Sequence, residues 1–145
     1  MTAADLDEVL AIEAASYPDP WGRKTFDDCL AADAKGYRCC VLLAHEQIIG
    51  HGVFTVVLDE AELLNFCLAP ERRGQAMAAG YLDQLQNQMV SHGARRLFLE
   101  VRQSNTPARR LYRSAGLQEV GVRKDYYPAR QGRENAILMV KDLSG

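Results

Sequence analysis

The run from Glu62 to Gly93, ELLNFCLAPERRGQAMAAGYLDQLQNQMVSHG, constrains the fold more than any other part of the chain. Its first segment, ELLNFCLA, is apolar and ends at Pro70. After Arg72 and Arg73 the spacing becomes helical and stays so until Gly93. That predicts a strand, a short loop and a long helix in succession, which places this unit at the centre of a layered α/β domain.

The flanking sequence builds outward from it. Thr2 followed by Asp5 has the form of a capping box. Leu6, Val9, Leu10 and Ile12 then lay an apolar stripe on a first helix running to about Ser16. YPDPWG breaks that helix, and KTFDDCLAADA predicts a second one ending near Gly36. YRCCVLLA and IIGHGVFTVVL, separated by HEQ, predict a hairpin, with Glu60 at the next turn. Beyond Gly93, RRLFLEV predicts a strand and TPARRLYRSAG a helix, with Asn105 or Thr106 as cap, Pro107 in the first turn and Gly116 as stop. QEVGVRKDYYP and ENAILMVKDL close the chain as an antiparallel pair around ARQGR. The expectation is a mixed sheet with helices on both faces, in one domain over residues 1–145.

Composition narrows the function classes. A formal net charge of −2 gives no overall pull toward nucleic acid or anionic lipid, so an anionic ligand needs a local site. No run of about twenty apolar residues occurs and no basic, then apolar, leader opens the chain, which argues against export and membrane insertion. Cys29, Cys39, Cys40 and Cys67 lack CxxC spacing and are expected as reduced, mostly buried thiols of a cytoplasmic protein, the adjacent pair on opposite faces of a strand. His45, His51 and His92 match no metal spacing, so no metal is expected and these histidines receive no role.

The loop of the central unit has the outline of a phosphate cradle. A helix beginning near Gly74 directs unpaired N–H groups and the positive end of its dipole at the preceding loop, and Arg72 and Arg73 add charge there. Ala76 and Ala78 stand where such loops often carry glycine. They are harmless if their dihedrals are helical, and cost about 1–2 kcal/mol each if left-handed. A plain alanine-rich helix start remains the alternative.

Together, this loop, LFLEVRQSNTPARRLYRSAGL, KDYYP and GRENAILM resemble the acetyl-CoA-dependent GNAT N-acetyltransferases, most closely the ribosomal-protein-alanine (RimI-type) branch. The resemblance runs from Asp5 to about Lys141 and takes in PW with KTF at Pro20–Phe26 and VVLDEAELLN at Val56–Asn65. It implies a GNAT fold with splayed central strands and acetyl-CoA as co-substrate. The implied acceptor is a protein α-amine, that of an alanine-starting small-subunit ribosomal protein. The family's loop pattern, Q/R-x-x-G-x-G/A, falls on Arg73, Ala76 and Ala78. Ala76 departs from it, and weaker cofactor binding is expected. The family usually also has a strand before the first helix, and either this sequence starts inside the natural protein or that strand is absent. If it is absent, the unpaired edge of the YRCCVLLA strand would favour self-association, and a monomer or weak dimer is expected.

The resemblance carries roles onto single residues. Glu100, partly desolvated after an apolar run, would be the general base, against the plainer reading of a strand-end glutamate paired with Arg102. Tyr112 would be the general acid, against a core-edge aromatic. Phe66, Cys67 and Leu68 would hold the pantetheine arm through backbone groups and supply the oxyanion donor. Arg73, Gly74, Gln75, Ala76, Met77, Ala78 and Ala79 would hold the pyrophosphate, and Asn105 would touch the cofactor arm, although a helix cap needs no such contact. Asp125, Tyr126 and Tyr127 would wall the acceptor site, against the plainer reading of a cross-strand aromatic pair. Trp21, by its place between the first two helices, would close the opposite wall, against that of a packing anchor. Two other functions stay open: acetylation of lysine or a small amine on the same fold, and a non-catalytic acyl-CoA-binding module.

Overall fold

The computed structural model describes residues 1–72 and 74–143. Helices α1 (Leu6–Ser16) and α2 (Arg23–Ala31) precede strands β1 (Tyr37–Ala44), β2 (Gln47–Val57) and β3 (Glu60–Leu68). Helix α3 (Gln75–Ser91), strand β4 (Arg96–Arg102), helix α4 (Thr106–Ser114) and strands β5 (Gln118–Pro128) and β6 (Arg133–Asp142) follow. This is the expected order. The second helix stops short of expectation, giving way to a 3-10 turn at Asp33–Lys35.

Local chemistry sets the ends. The Thr2 amide donates to Asp5 Oδ2 at 2.8 Å, closing the first turn. Asn105 caps α4 by accepting from the Ala108 amide at 3.2 Å. Gly36 must be glycine: its φ is 95°, and a Cβ there would lie 2.3 Å from the Val56 carbonyl oxygen.

The six strands lie in the order β1-β2-β3-β4-β6-β5, antiparallel except for the β3/β4 pair at the centre. Side-chain alternation divides the apolar residues between two faces. Leu42, Phe54, Leu63, Leu97, Leu99 and Met139 pack under α3 and α4, while Cys39, Val41, Val53 and Leu64 pack under α1 and α2 with Leu6, Val9 and Phe26. Cys39 and Cys40 therefore face opposite sides, as a strand requires. Phe54, Leu82, Leu85, Met89 and Leu97 are at most 1% exposed, and full burial of each such side chain stabilises the fold by about 1.5–3 kcal/mol. Helix α3 seats closely because β2 carries Gly52 beneath Leu85, where a Cβ would come within 2.7 Å of Leu85 Cδ1. β1 forms one edge of the described sheet, and the Met1 amino group donates to its Cys39 carbonyl at 3.1 Å.

Candidate active site

The site opens where the sheet splits. β3 and β4 pair in parallel only from Glu60 opposite Arg96 to Leu63 opposite Leu99. At that point the β2/β3 register shifts, Phe54 facing Leu63 but Val53 facing Asn65, so Leu64 is an inserted residue in β3. A bulge bends its strand. β4 meanwhile follows β6 without a break through Arg102 opposite Ala136, and the two central strands diverge. The resulting cleft has a volume of about 580 Å³, with the β3 backbone from Asn65 to Leu68 on one wall and Leu99–Arg102 on the other.

Two chemically active side chains reach this cleft from opposite faces of the sheet. Along β4, Leu97, Leu99 and Val101 enter the α3/α4 core, so Phe98, Glu100 and Arg102 project to the α1/α2 face. Glu100 is 14% exposed, and its Oε1 forms an ion pair with Arg123 Nη2 at 2.9 Å. Its Oε2 is buried and has no hydrogen-bond partner among the described residues. Tyr112 comes from α4 on the other face, is 8% exposed and lines the same cleft. Burial, with smaller contributions from Tyr127 and Cys67, pushes its phenol well above the usual tyrosine range, so it carries its proton at physiological pH.

The β5/β6 hairpin borders the cleft through Tyr127. Register is lost between Arg123 and Tyr127, and Asp125 sits at φ 53°. Asn135 Oδ1 holds that turn by accepting the Asp125 amide at 3.1 Å, and Arg133 donates to the Asp125 and Tyr126 carbonyls at 2.7 Å each. Tyr127 lines the cleft, with the Arg102 guanidinium 4.6 Å from its ring centroid. Burial, then the nearby Glu100 charge, pushes the Tyr127 phenol up to about 12. Arg102 pairs with Glu134 at 3.3 Å rather than with Glu100, and it is Arg123 that pairs with Glu100. Tyr126 is 42% exposed, stacks on Tyr127 at 4.9 Å and carries Arg123 over its ring. Asp125 is exposed. Trp21, in the segment joining α1 to α2, lines the same cleft as Tyr127. Of the four expected wall residues, the cleft thus brings together Trp21 and Tyr127, and Tyr126 and Asp125 lie behind Tyr127 on the hairpin.

The other end is made by the start of α3. Gly74 is extended at φ −176° and precedes the helix without a side-chain cap. The first regular bond is from the Ala78 amide to the Gly74 carbonyl, 3.0 Å, so the amides of residues 75–77 precede the helical ladder and point out of its end. Gly74, Ala78 and Asn105 line the cleft. Ala76 lies on α3 beside Met77 and faces the separate groove between β1 and α3. Neither Ala76 nor Ala78 has a positive φ, so the left-handed strain that alanine would suffer is not present. Arg73 lies outside the described residues.

The sequence reading missed a buried polar cluster beside this cleft. Glu13 is 1% exposed, His51 0% and Asn65 7%. Glu13 Oε1 lies 2.9 Å from His51 Nε2, and Asn65 Nδ2 donates to both carboxylate oxygens at 3.1 and 3.2 Å. The Trp21 amide donates to Oε2 at 3.0 Å. Ligand atoms of Glu13, His51 and Cys67 lie within 4.8 Å of one another, but both oxygens of Glu13 are already engaged as hydrogen-bond acceptors. A usable signal existed: Glu13 follows Leu6 and Val9 on the buried stripe of α1. Tyr17 was missed too, its hydroxyl donating to the Phe66 carbonyl at 2.6 Å inside the cleft.

A split mixed sheet, a helix start at one end of the split and a carboxylate–phenol pair across it define an acyl-CoA-dependent transferase. The sequence profile of the acetyltransferase (GNAT) family matches residues 6–117, and the chain belongs to that family: it is an acetyl-CoA-dependent N-acetyltransferase. It is 33% identical over 144 residues, 99% of this chain and 95% of the relative, to the [ribosomal protein bS18]-alanine N-acetyltransferase of Salmonella typhimurium. It is 37% identical over 136 residues to the enzyme of the same name from Haemophilus ducreyi, covering 93% of this chain and 92% of that one. The crystal structure of the ribosomal-protein-S18-alanine N-acetyltransferase from Escherichia coli superimposes with a TM-score of 0.89 at 33% identity, covering 100% of this chain and 92% of that one. A GNAT acetyltransferase from Elizabethkingia anophelis with acetyl-CoA bound shares the fold, with a TM-score of 0.74 at 18% identity over 91% of this chain and 88% of that one.

Proposed function

We propose that this chain acetylates the α-amine of a protein in the bacterial cytoplasm, the N-terminal alanine of a ribosomal protein like that named for its relatives. The observation that carries the reading is the placement of Glu100 and Tyr112 on opposite faces of one split, with a Glu100 oxygen that has no hydrogen-bond partner among the described residues.

The residues of the cleft fit acetyl-CoA: the β3 backbone for an amide-bearing arm, Gly74 and the leading amides of α3 for phosphates, and Asn105 and Ala78 beside them. When bound, acetyl-CoA supplies a thioester carbonyl and a thiolate leaving group. The chain's own groups then divide the work. A terminal amine, with a pKa of about 7.7–8.0 against about 10.4 for lysine, is readily neutral near physiological pH, so a carboxylate is base enough. Glu100 Oε2 takes the amine proton, directly or through a water, while Arg123 holds the other oxygen and fixes the carboxylate's plane. A backbone N–H of the Phe66–Leu68 stretch stabilises charge on the carbonyl oxygen. Tyr112, protonated because it is buried, donates to the departing sulfur. Trp21 and Tyr127 flank the amine's approach.

The test is to incubate the protein with acetyl-CoA and an alanine-starting ribosomal-type peptide containing an internal lysine, then locate the added acetyl by fragment mass spectrometry. Acetylation of the α-amine is expected. Modification of lysine alone would reassign the acceptor class, and no modification with acetyl-CoA binding intact would mean either a different acceptor or an acyl-CoA-binding module.

A further inference from the structure

A carboxylate that is 1% exposed is costly to bury and stays only where hydrogen bonds replace its water. Glu13 meets that condition with donors from three separate elements. Asn65 reaches it from β3, directly after the bulge that opens the cleft, and His51 reaches it from β2. The third is the main-chain amide of Trp21. An Nε2–H directed at Glu13 leaves His51 Nδ1 as a bare lone pair, in keeping with its having no partner among the described residues. The contact chain continues through rings: Phe26 meets the His51 imidazole edge-on at 5.5 Å, and Trp21 stacks obliquely on Phe26 at 5.3 Å. Trp21 is therefore fixed at its amide by Glu13 and at its indole, through Phe26, by His51.

We propose that Glu13, clamped by His51 and Asn65, is a positioning residue that fixes Trp21 as a wall of the acceptor site, and so sets acceptor affinity rather than cofactor affinity. The inference takes its acceptor from the function proposed above, and its wall from geometry alone. Glu13, Asn65 and Trp21 line the cleft on the side of the sheet covered by α1 and α2, whereas Gly74 and Ala78 line it from the start of α3 on the opposite face. Glu13 touches no reacting atom in this scheme. It acts by joining the bulged strand to the loop that carries the indole.

Trp21 is the only tryptophan in the chain, so its fluorescence reports the wall directly. Glu13→Gln keeps the side chain's size but replaces one acceptor oxygen by a donor, and His51→Phe keeps a ring against Phe26 while deleting the bond to the carboxylate. For Glu13→Gln, acrylamide quenching of Trp21 is expected to rise about twofold and KM for the alanine peptide about tenfold. The same variant should keep kcat within about threefold and acetyl-CoA affinity within about twofold. His51→Phe should show the same pattern at smaller amplitude. Unchanged quenching and acceptor KM in both folded variants would overturn the proposal, and so would a parallel loss of acetyl-CoA affinity, which would mark a structural role only. If the wild-type protein acetylates no peptide, the proposed function fails, and the quenching comparison still decides whether Glu13 holds Trp21.

Discussion

The two ends of the cleft are built on different principles. At the acceptor end nearly every side chain is tied to another: Arg102 to Glu134 and the Tyr127 ring, Arg123 to Glu100 and the Tyr126 ring, Glu13 to His51 and Asn65. At the α3 end the cleft is lined by Gly74 and Ala78, and recognition falls to backbone amides. Side chains held by several partners give a defined geometry for chemistry. A helix end offers its amides whatever small residues carry them, and neither Ala76 nor Ala78 is in a left-handed conformation.

That contrast is broken severely at Tyr112. Tyr112→Phe should lower kcat about a hundredfold, within the range for a lost acid–base group, with acetyl-CoA affinity unchanged by titration. A smaller effect belongs to the helix start. Ala78→Leu pushes a side chain into the cleft and should weaken acetyl-CoA binding about tenfold. Ala76→Leu, facing the β1/α3 groove, should change it less than about twofold. Equal effects at the two positions would mean that the helix is rotated from the orientation described. Arg102→Ala removes the hydrogen bond to Pro128, the pair with Glu134 and the cation over Tyr127. The melting midpoint should fall by about 4 °C, with a few-fold rise in acceptor KM and none in cofactor affinity.

The smallest effect concerns pH. Both phenols at the site are raised, Tyr127 to about 12 and Tyr112 further, each chiefly by burial. A raised folded value means that this contribution to stability is complete below the unfolded phenol value of about 10 and is lost as pH climbs through the folded value. The rate should therefore show no fall from phenol ionisation below about pH 10. A descending limb near pH 9 that disappears in Tyr112→Phe would contradict the raised phenol of Tyr112.

Most of the architecture was legible because it rests on local rules. Period changes, Pro70, Gly93 and Asn105 mark element ends through backbone geometry, and the element order follows. Glu100 and Tyr112 are singled out only by family likeness, since nothing local distinguishes either from a strand-end glutamate or a core-edge aromatic. The partners of Glu100 and Arg102 were out of reach: Arg123 meets Glu100 because β6 lies between β4 and β5, and that order is a property of the whole sheet. Ala76 was readable in part. It stands two residues from Ala78, about 200° around a helix, so the two could not both face the ligand. Glu13 was readable from its place on the α1 stripe, but its burial makes sense only once His51 and Asn65, distant in sequence, are seen beside it.

The separation of chemistry from cofactor binding is tested most directly with Glu100→Gln, by titrating acetyl-CoA calorimetrically and measuring turnover of the alanine peptide on the same preparation. The expected result is an acetyl-CoA affinity within about twofold of wild type and a kcat lower by about 10²–10⁴. Turnover within about threefold of wild type, or affinity and turnover falling together, would contradict the assignment of the proton to Glu100.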